Sequence, residues 1–176
     1  YYRDHGTTLS GLMTVHGMEP KAFLDFVHDI DLAPVRPDPR LAKAMEQLPG
    51  RVLVFTNGTV HHAMRVMAQL GVTHTVDGVF DIVHADYIPK PRIETFRRFC
   101  DAHAVAPRKA AMFEDLARNL APAHDLGMTT VLVEPPTGHA DPTVRGWGDA
   151  RDGAHIHYRT SDLAEFLESI LAESNS

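Results

Sequence analysis

The stretch from Arg51 to Gly58 constrains the fold of this chain more than any other. Its apolar residues, 52–55, stop abruptly at the small polar residues Thr56, Asn57 and Gly58. An uninterrupted apolar run of this length is typical of a strand buried on both faces, as in a parallel sheet. In open α/β folds, ligands bind at the edge where such strands end. An ordinary strand-to-helix turn is the alternative, because α/β domains contain several such turns.

Helical and extended patterns alternate around this stretch from Asp38 to the closing amphipathic helix that begins at Leu163. Such alternation predicts a Rossmann-like α/β fold, in which helices cover both faces of a parallel sheet. A loop rich in Gly, Pro and Asp, which ends at Gly153, interrupts the pattern. The short apolar runs that we predict as strands lie at 52–55, 80–83, 110–113, 130–133 and 154–158.

The first 36 residues have a different pattern. Apolar residues recur at helical spacing from Leu9, and Glu19-Pro20 opens a second helical segment. The dense prolines 34, 37 and 39 then end this region, since a helix cannot continue through them. We therefore predict a small helical cap region at 1–36 and a Rossmann-like core at 37–176. A helical hairpin that merely packs on the main sheet is the alternative.

Composition excludes several classes of partner. The chain has 176 residues, of which 44% are hydrophobic, and this length suits one core domain. A net charge of −6 without a run of Lys or Arg argues against binding to nucleic acid. No apolar run approaches the ~20 residues that span a membrane. The single cysteine, Cys100, excludes an intramolecular disulfide, and we predict a cytoplasmic protein.

Three predicted strand ends carry polar residues that suit an anion beside a divalent cation. Thr56 and the amides that follow it can donate hydrogen bonds to phosphate oxygens. Lys90, between two prolines, can neutralise an anionic substrate. Glu114 and Asp115 offer the hard oxygen ligands that Mg²⁺ prefers. Because parallel strands point their carboxyl ends to one edge, we expect these residues to share one cleft.

Each of these residues has a plainer interpretation. Lys90 can be a solvated loop lysine, since most lysines are exposed. Glu114 and Asp115 can cap the helix that follows them, because acidic residues are favoured at helix starts. The three segments together favour a site.

The order of these segments resembles motifs two, three and four of the haloacid dehalogenase superfamily of phosphatases. The first and last segments resemble its pyrimidine 5′-nucleotidase-like branch, and the resemblance covers nearly the whole chain. The matching segments are Tyr1–Leu12, Phe55–Gly58, Lys90-Pro91, Phe113–Leu120, Leu126–Met128, Asp152–Ala154 and Ser161–Leu163.

The resemblance implies Mg²⁺-dependent hydrolysis of a nucleoside 5′-monophosphate, with a pyrimidine favoured, through an aspartyl-phosphate. It implies that Thr56 and Asn57 contact the phosphoryl group. Lys90 would stabilise the phosphoryl charge and orient the nucleophile, while Asp115, with Glu114, would hold the metal.

Further substrate contacts are expected from the turn and from the cap region. Gly58 belongs to the phosphate-binding turn. His5, Thr7 and Thr8 are candidates for substrate contact, with local structural roles as the alternative.

One motif of the superfamily has no counterpart here. Its first motif, a strand ending Asp-x-Asp-x-Thr, supplies the nucleophile and should precede Tyr1. Asp29-Ile30-Asp31 is not that motif, because it follows a helical segment and has Ala33 where Thr is required, with Pro34 directly after it. We therefore expect the first central strand and the nucleophile to lie outside the sequence, and the chain alone to be inactive.

Two other functions stay open. A protein without the nucleophile can bind nucleotide or phosphate in a regulatory role. Hydrolysis of a carbon–halogen bond, as in a 2-haloacid dehalogenase, is a further alternative, although that chemistry needs no pair of Mg²⁺-binding carboxylates.

Overall fold

The alternation of helices and strands is confirmed by a computed structural model, which describes residue 5 and residues 7–135 and 153–174. Much of the first matching segment and most of the predicted Gly- and Pro-rich loop lie outside the described residues. The helices are α1 (Thr8–His16), α2 (Pro20–His28), α3 (Pro39–Glu46), α4 (Val60–Leu70), α5 (Ile93–Ala102), α6 (Ala117–Asp125) and α7 (Leu163–Ser174). The strands are β1 (Leu53–Phe55), β2 (Gly78–Phe80), β3 (Ala111–Glu114), β4 (Thr129–Val133) and β5 (Tyr158–Thr160).

The described strands are all parallel and form two sheets, so the predicted α/β class is confirmed. One sheet pairs β1 with β2, and the other has the order β3-β4-β5. The chain forms two compact units. The first contains Tyr1–Pro89 and Leu167–Ser176, and the second contains Lys90–Phe166. In the described part of the chain, no helix is long and apolar enough to cross a membrane.

In the first unit, α1 and α2 pack against the segment that follows β2. Leu9 and Leu24 are buried together with Ile82, which lies two residues beyond β2. The hydroxyl of Thr7 and the carboxylate of Glu19 accept hydrogen bonds from the first turns of the two helices. The helical region that the sequence sets apart is therefore tied to the β1–β2 unit by buried apolar contacts. A second buried cluster lies between α3 and α4 and contains Ala42, Ala63, Met67 and Val72.

Strand β1 differs from its expected burial. Its residues, Leu53–Phe55, are half-buried, whereas the apolar run predicts burial on both faces. β1 pairs with β2 in the register Leu53↔Gly78, and no second neighbouring strand is found among the described residues. The predicted strand at 80–83 is misplaced, because β2 is Gly78–Phe80 and its bounds are set by the pairing with β1. Burial of a strand depends on its neighbours in space, which an apolar run does not reveal.

In the second unit, the last strand begins later than predicted. β5 starts at Tyr158, whereas the apolar pattern predicts a strand at 154–158. The residues before it are joined to β4 by hydrogen bonds that involve side chains. The Thr130 amide donates to His157 Nδ1 (3.0 Å), and the Thr130 hydroxyl donates to the His155 carbonyl (2.8 Å). The His157 amide also donates to the Thr130 carbonyl (3.2 Å), and the regular ladder begins at the pair Val131↔Tyr158. The core of this unit contains Phe96, Leu120, Val131 and Leu132, each no more than 2% exposed.

Candidate active site

The turn after β1 is closed by its own hydrogen bonds. The Thr56 amide donates to the Phe80 carbonyl (2.9 Å), which continues the β1–β2 ladder by one residue. The Gly58 amide then donates to the Thr56 hydroxyl (2.9 Å). The turn leads directly into α4, whose first turn is capped by the hydroxyl of Thr59. Thr56, Asn57 and Gly58 are half-buried, so a ligand at this turn would meet both a hydroxyl group and the positive end of a helix.

A buried carboxylate, Asp81, links the residues that follow this turn to the segment after β2. Asp81 is 3% exposed and accepts hydrogen bonds from the amides of Val60 (2.9 Å), Val83 (3.1 Å) and His84 (2.9 Å). The ring of His84 lies 2.6 Å from the same carboxylate. Burial alone would raise the pKa of Asp81, but these hydrogen bonds and the imidazole lower it below its usual value. Asp81 therefore stays charged and ties the start of α4 to the segment after β2.

The second unit contains a buried ion pair between two predicted site residues. Lys90 Nζ lies 2.6 Å from Glu114 Oε2, and the two side chains are 7% and 8% exposed. The side-chain amide of Asn119 donates from Nδ2 to the other carboxylate oxygen, Glu114 Oε1 (3.1 Å). Burial raises the pKa of Glu114, but the Lys90 charge and the hydrogen bonds from Asp115, Lys90 and Asn119 lower it below its usual value. The interpretation of Lys90 as a solvated loop lysine is therefore wrong.

Asp115 lies next to this pair and is exposed. Partial desolvation of its carboxyl group, followed by the hydrogen bond with Glu114 and the Glu114 charge, raises the pKa of Asp115 to about 6. Helix α6 begins at Ala117, and its N-cap residue, Leu116, makes no side-chain cap. Neither Glu114 nor Asp115 therefore occupies the N-cap position of this helix.

The predicted site residues fall into two groups. Thr56, Asn57 and Gly58 lie in the first unit, whereas Lys90, Glu114 and Asp115 lie in the second, where Lys90 and Glu114 are in contact.

In the cap region, His5 is half-buried and Thr8 is exposed at the first position of α1. The neighbouring Thr7 hydroxyl caps α1 by accepting from the Ser10 amide (3.0 Å), which is the local structural role that the sequence left open.

Three polar residues near these groups were not predicted from the sequence as site residues. Asp81 and His28 lie at the turn after β1, and Asn119 lies beside Glu114. Asn119 is 2% exposed, and its Oδ1 atom has no hydrogen-bond partner among the described residues. An Asn between the apolar positions Ala117 and Leu120 of a helix is the one sequence signal that could have indicated it.

Comparison with known families decides the classification. Residues 15–127 match the model of a hydrolase family, the haloacid dehalogenase-like hydrolases. The chain belongs to this family. The matched residues of this haloacid dehalogenase-like hydrolase include every candidate of the two groups above, whereas His5 and Thr8 lie outside the match.

Solved structures show the same fold. An L-2-haloacid dehalogenase from Xanthobacter autotrophicus with chloropropionic acid covalently bound has a TM-score of 0.62 at 16% identity, covering 77% of this chain and 61% of that one. A HAD phosphatase from Thermococcus onnurineus has a TM-score of 0.57 at 20% identity, covering 76% of this chain and 57% of that one. A HAD family hydrolase from Deinococcus radiodurans R1, with bound phosphate and sodium, has a TM-score of 0.59 at 17% identity, covering 95% and 74%. The chain thus spans less than two thirds of the first two structures.

Proposed function

We propose that this hydrolase is a Mg²⁺-dependent phosphatase that acts on a nucleoside 5′-monophosphate, with a pyrimidine favoured, or on a similar small phosphate ester. The observation that supports this proposal is the buried Lys90–Glu114 pair with the exposed Asp115 carboxyl group beside it. A fixed ammonium group next to an accessible carboxylate suits an anionic substrate that is bound together with a cation.

The residues present fit a magnesium ion. Both oxygens of Glu114 already accept hydrogen bonds, from Lys90 and from Asn119. Partial desolvation, then the hydrogen bond with Glu114 and the Glu114 charge, raise the pKa of Asp115, and a divalent cation beside it would offset the repulsion between the two carboxylates. We therefore assign Asp115 as the metal ligand in this proposal and Glu114 as the residue that holds Lys90.

The remaining ligands would come from water and substrate oxygens. Among the described residues, no group of three or more His, Cys, Asp and Glu side chains is placed to hold a metal. Mg²⁺ commonly keeps several waters and uses only one or two carboxylates in addition to substrate phosphate. When bound, the ion would supply charge stabilisation for the phosphoryl oxygens.

In this proposal, different residues of the chain bind the substrate, stabilise its charge and position the stabilising group. Thr56 and Asn57 bind the phosphoryl group, because the turn presents a hydroxyl group at the start of a helix. Lys90 stabilises the negative charge on the phosphoryl oxygens, and Glu114 keeps its ammonium group in one position. The attacking aspartate has no counterpart among the 176 residues, so we place it outside this sequence, and the activity proposed is that of the protein that contains this chain.

The test is phosphate release from uridine and cytidine monophosphate with added Mg²⁺. Asp115→Asn should lower kcat by about two orders of magnitude, because it removes the charge that we assign to metal binding. Asp125→Asn is the matched control, since that side chain is 76% exposed and lies at the far end of α6. Full activity in excess chelator, or with Asp115→Asn, would contradict the metal assignment.

A second candidate is hydrolysis of a 2-haloacid. Its support is the similarity of fold to an L-2-haloacid dehalogenase. Chloride release from L-2-chloropropionate, unchanged by chelator, would favour this function over the phosphatase. Binding of nucleotide without turnover of either substrate would indicate the regulatory alternative.

Several finer points stay predictions from the sequence. These are the division into a cap at 1–36 and a core at 37–176, contact of His5 and Thr8 with the substrate, and a cytoplasmic location.

A further inference from the structure

A histidine from the helical region lies against the turn after β1. His28 is the last residue of α2, and its ring stacks on that of His62 in α4, with centroids 4.3 Å apart and planes inclined by 11°. Arg65 donates one hydrogen bond to the His28 carbonyl (2.7 Å) and another to the Ile30 carbonyl (3.0 Å). Both the ring and the backbone of His28 are therefore held against the first turns of α4.

The stacked ring presents its Nε2 atom to the turn. A Cβ atom built on Gly58 would lie 3.3 Å from His28 Nε2 and 3.3 Å from Thr56 Oγ1. A Cβ atom here would be in tight contact with both polar atoms, so the glycine leaves space between them. His28 Nε2 has no hydrogen-bond partner among the described residues, whereas Nδ1 lies 3.2 Å from the Thr59 hydroxyl.

The Thr59 hydroxyl lies between the His62 amide and the His28 ring. Its oxygen accepts from the His62 amide (3.2 Å), and its own proton is available to His28 Nδ1, 3.2 Å away. Burial, and then the nearby His62, His61 and Arg65, lower the pKa of His28, which favours the neutral ring. A neutral imidazole that accepts at Nδ1 carries its proton on Nε2. His28 thus offers an N–H donor at the turn without adding a positive charge.

We propose that His28 Nε2–H donates a hydrogen bond to an oxyanion oxygen of the substrate bound at Thr56–Gly58. This assignment rests on the proposed function insofar as the turn binds an anion. Phosphoryl and carboxylate oxygens are equivalent acceptors for such a donor, so it applies to a phosphate ester and to a 2-haloacid alike. His28 is then a substrate-binding residue supplied by the helical region, and Thr59, His62 and Arg65 are positioning residues for its ring.

Three substitutions separate the two nitrogens. His28→Gln keeps an amide donor near the position of Nε2, whereas His28→Asn keeps only a polar group near Nδ1, facing Thr59. His28→Phe keeps the flat ring against His62 and removes both nitrogens. The probe is inorganic phosphate, whose dissociation constant is measured by calorimetry on the protein that contains this chain. KM and kcat for uridine monophosphate are measured in parallel.

We expect Asn and Phe to weaken phosphate binding by about tenfold or more, since a hydrogen bond to a charged group is lost. Gln should stay within about threefold of the wild type, and the change should fall mainly on KM. A structural role alone would not make Gln better than Asn, because Gln loses the bond to Thr59. If His28→Phe does not fold, the comparison of Gln with Asn still decides.

Failure of this inference differs from failure of the proposed function. Unchanged phosphate binding in the Asn and Phe variants, or equal losses in Gln and Asn, would overturn the role of His28 even if the ester is hydrolysed. Loss of phosphate binding in Asn but not in Gln would support the role of His28 even if the ester is not hydrolysed. A wild-type protein that does not bind phosphate would overturn both.

Discussion

Removing either member of the Lys90–Glu114 pair should destabilise the protein strongly. The two side chains are 7% and 8% exposed, so Lys90→Met leaves the Glu114 carboxylate buried without its cation, and Glu114→Gln leaves the Lys90 ammonium group buried without its anion. Loss of one partner of a buried pair costs about 3–5 kcal/mol. In a chain of this size, about 1 kcal/mol corresponds to roughly 2–4 °C in Tm. Each single variant should therefore melt about 6–20 °C below the wild type.

The double variant Lys90→Met/Glu114→Gln identifies the cause. It buries neither unpaired charge, so its loss of unfolding free energy should be smaller than the sum of the single losses by about 2 kcal/mol or more. The assay is equilibrium unfolding in urea at pH 7, and circular dichroism is the signal that monitors it. Lys21→Met/Asp25→Asn is the control, because those side chains are 75% and 64% exposed. An exposed pair at this helical spacing contributes little to stability, so this control should unfold close to the wild type.

Two outcomes would refute this reasoning. Additive losses in the double variant, within about 0.5 kcal/mol, would show that Lys90 and Glu114 do not depend on each other. Single losses below about 1 kcal/mol would show that water reaches the pair, as it reaches a surface pair.

Further predictions concern the turn after β1. Asp81→Asn should lower the free energy of unfolding by about 1–3 kcal/mol at pH 7, because three amides lose a charged acceptor. The folded-state pKa of Asp81 is lowered, so this difference should be complete above the ordinary value of 3.8 and shrink as the pH falls through the folded-state pKa; a constant difference down to pH 2 would contradict it. Gly58→Ala should raise KM several-fold, since its Cβ would lie 3.3 Å from His28 Nε2 and Thr56 Oγ1. Gly71→Ala is the control, because an added Cβ at Gly71 would have nothing within 4 Å while φ is +80°, a backbone conformation that is unfavourable for Ala. It should lower the free energy of unfolding by about 1 kcal/mol and leave KM unchanged.

Local sequence patterns predicted which segments are helices and strands better than they predicted the burial and pairing of those segments. Helix α4, Val60–Leu70, belongs to the predicted alternation of helices and strands, because its apolar spacing and its end at Gly71 are local signals. The start of β5 and the half-burial of β1 were not predicted, since both depend on partners distant in sequence. Thr130 redirects the residues before β5, and the register of a strand is a property of the pair.

The same division applies to the candidate site. Thr56 and Asp115 were predicted from the sequence because each lies just beyond a predicted strand, where an apolar run changes to polar residues, and Lys90 was predicted from its place between two prolines. The pairing of Lys90 Nζ with the Glu114 carboxylate was not predicted from the sequence. Its cause is the burial of both side chains, which the proline-flanked loop around Lys90 does not reveal.

The residues that orient the turn after β1 come from segments without any such signal. Asp81 follows a three-residue strand, and His28 ends an ordinary amphipathic helix, yet both contact the turn or the first residues of α4. The Asp81 carboxylate accepts from the Val60 amide at the half-buried start of α4, where helix amides lack backbone partners. The His28 ring is held by stacking on the ring of His62. A turn that binds an anion needs both kinds of residue: those that touch the ligand and those that hold the donors in place. Only the first kind follows from where a strand ends, so the helical region that contains His28 belongs to the substrate site that we propose at this turn.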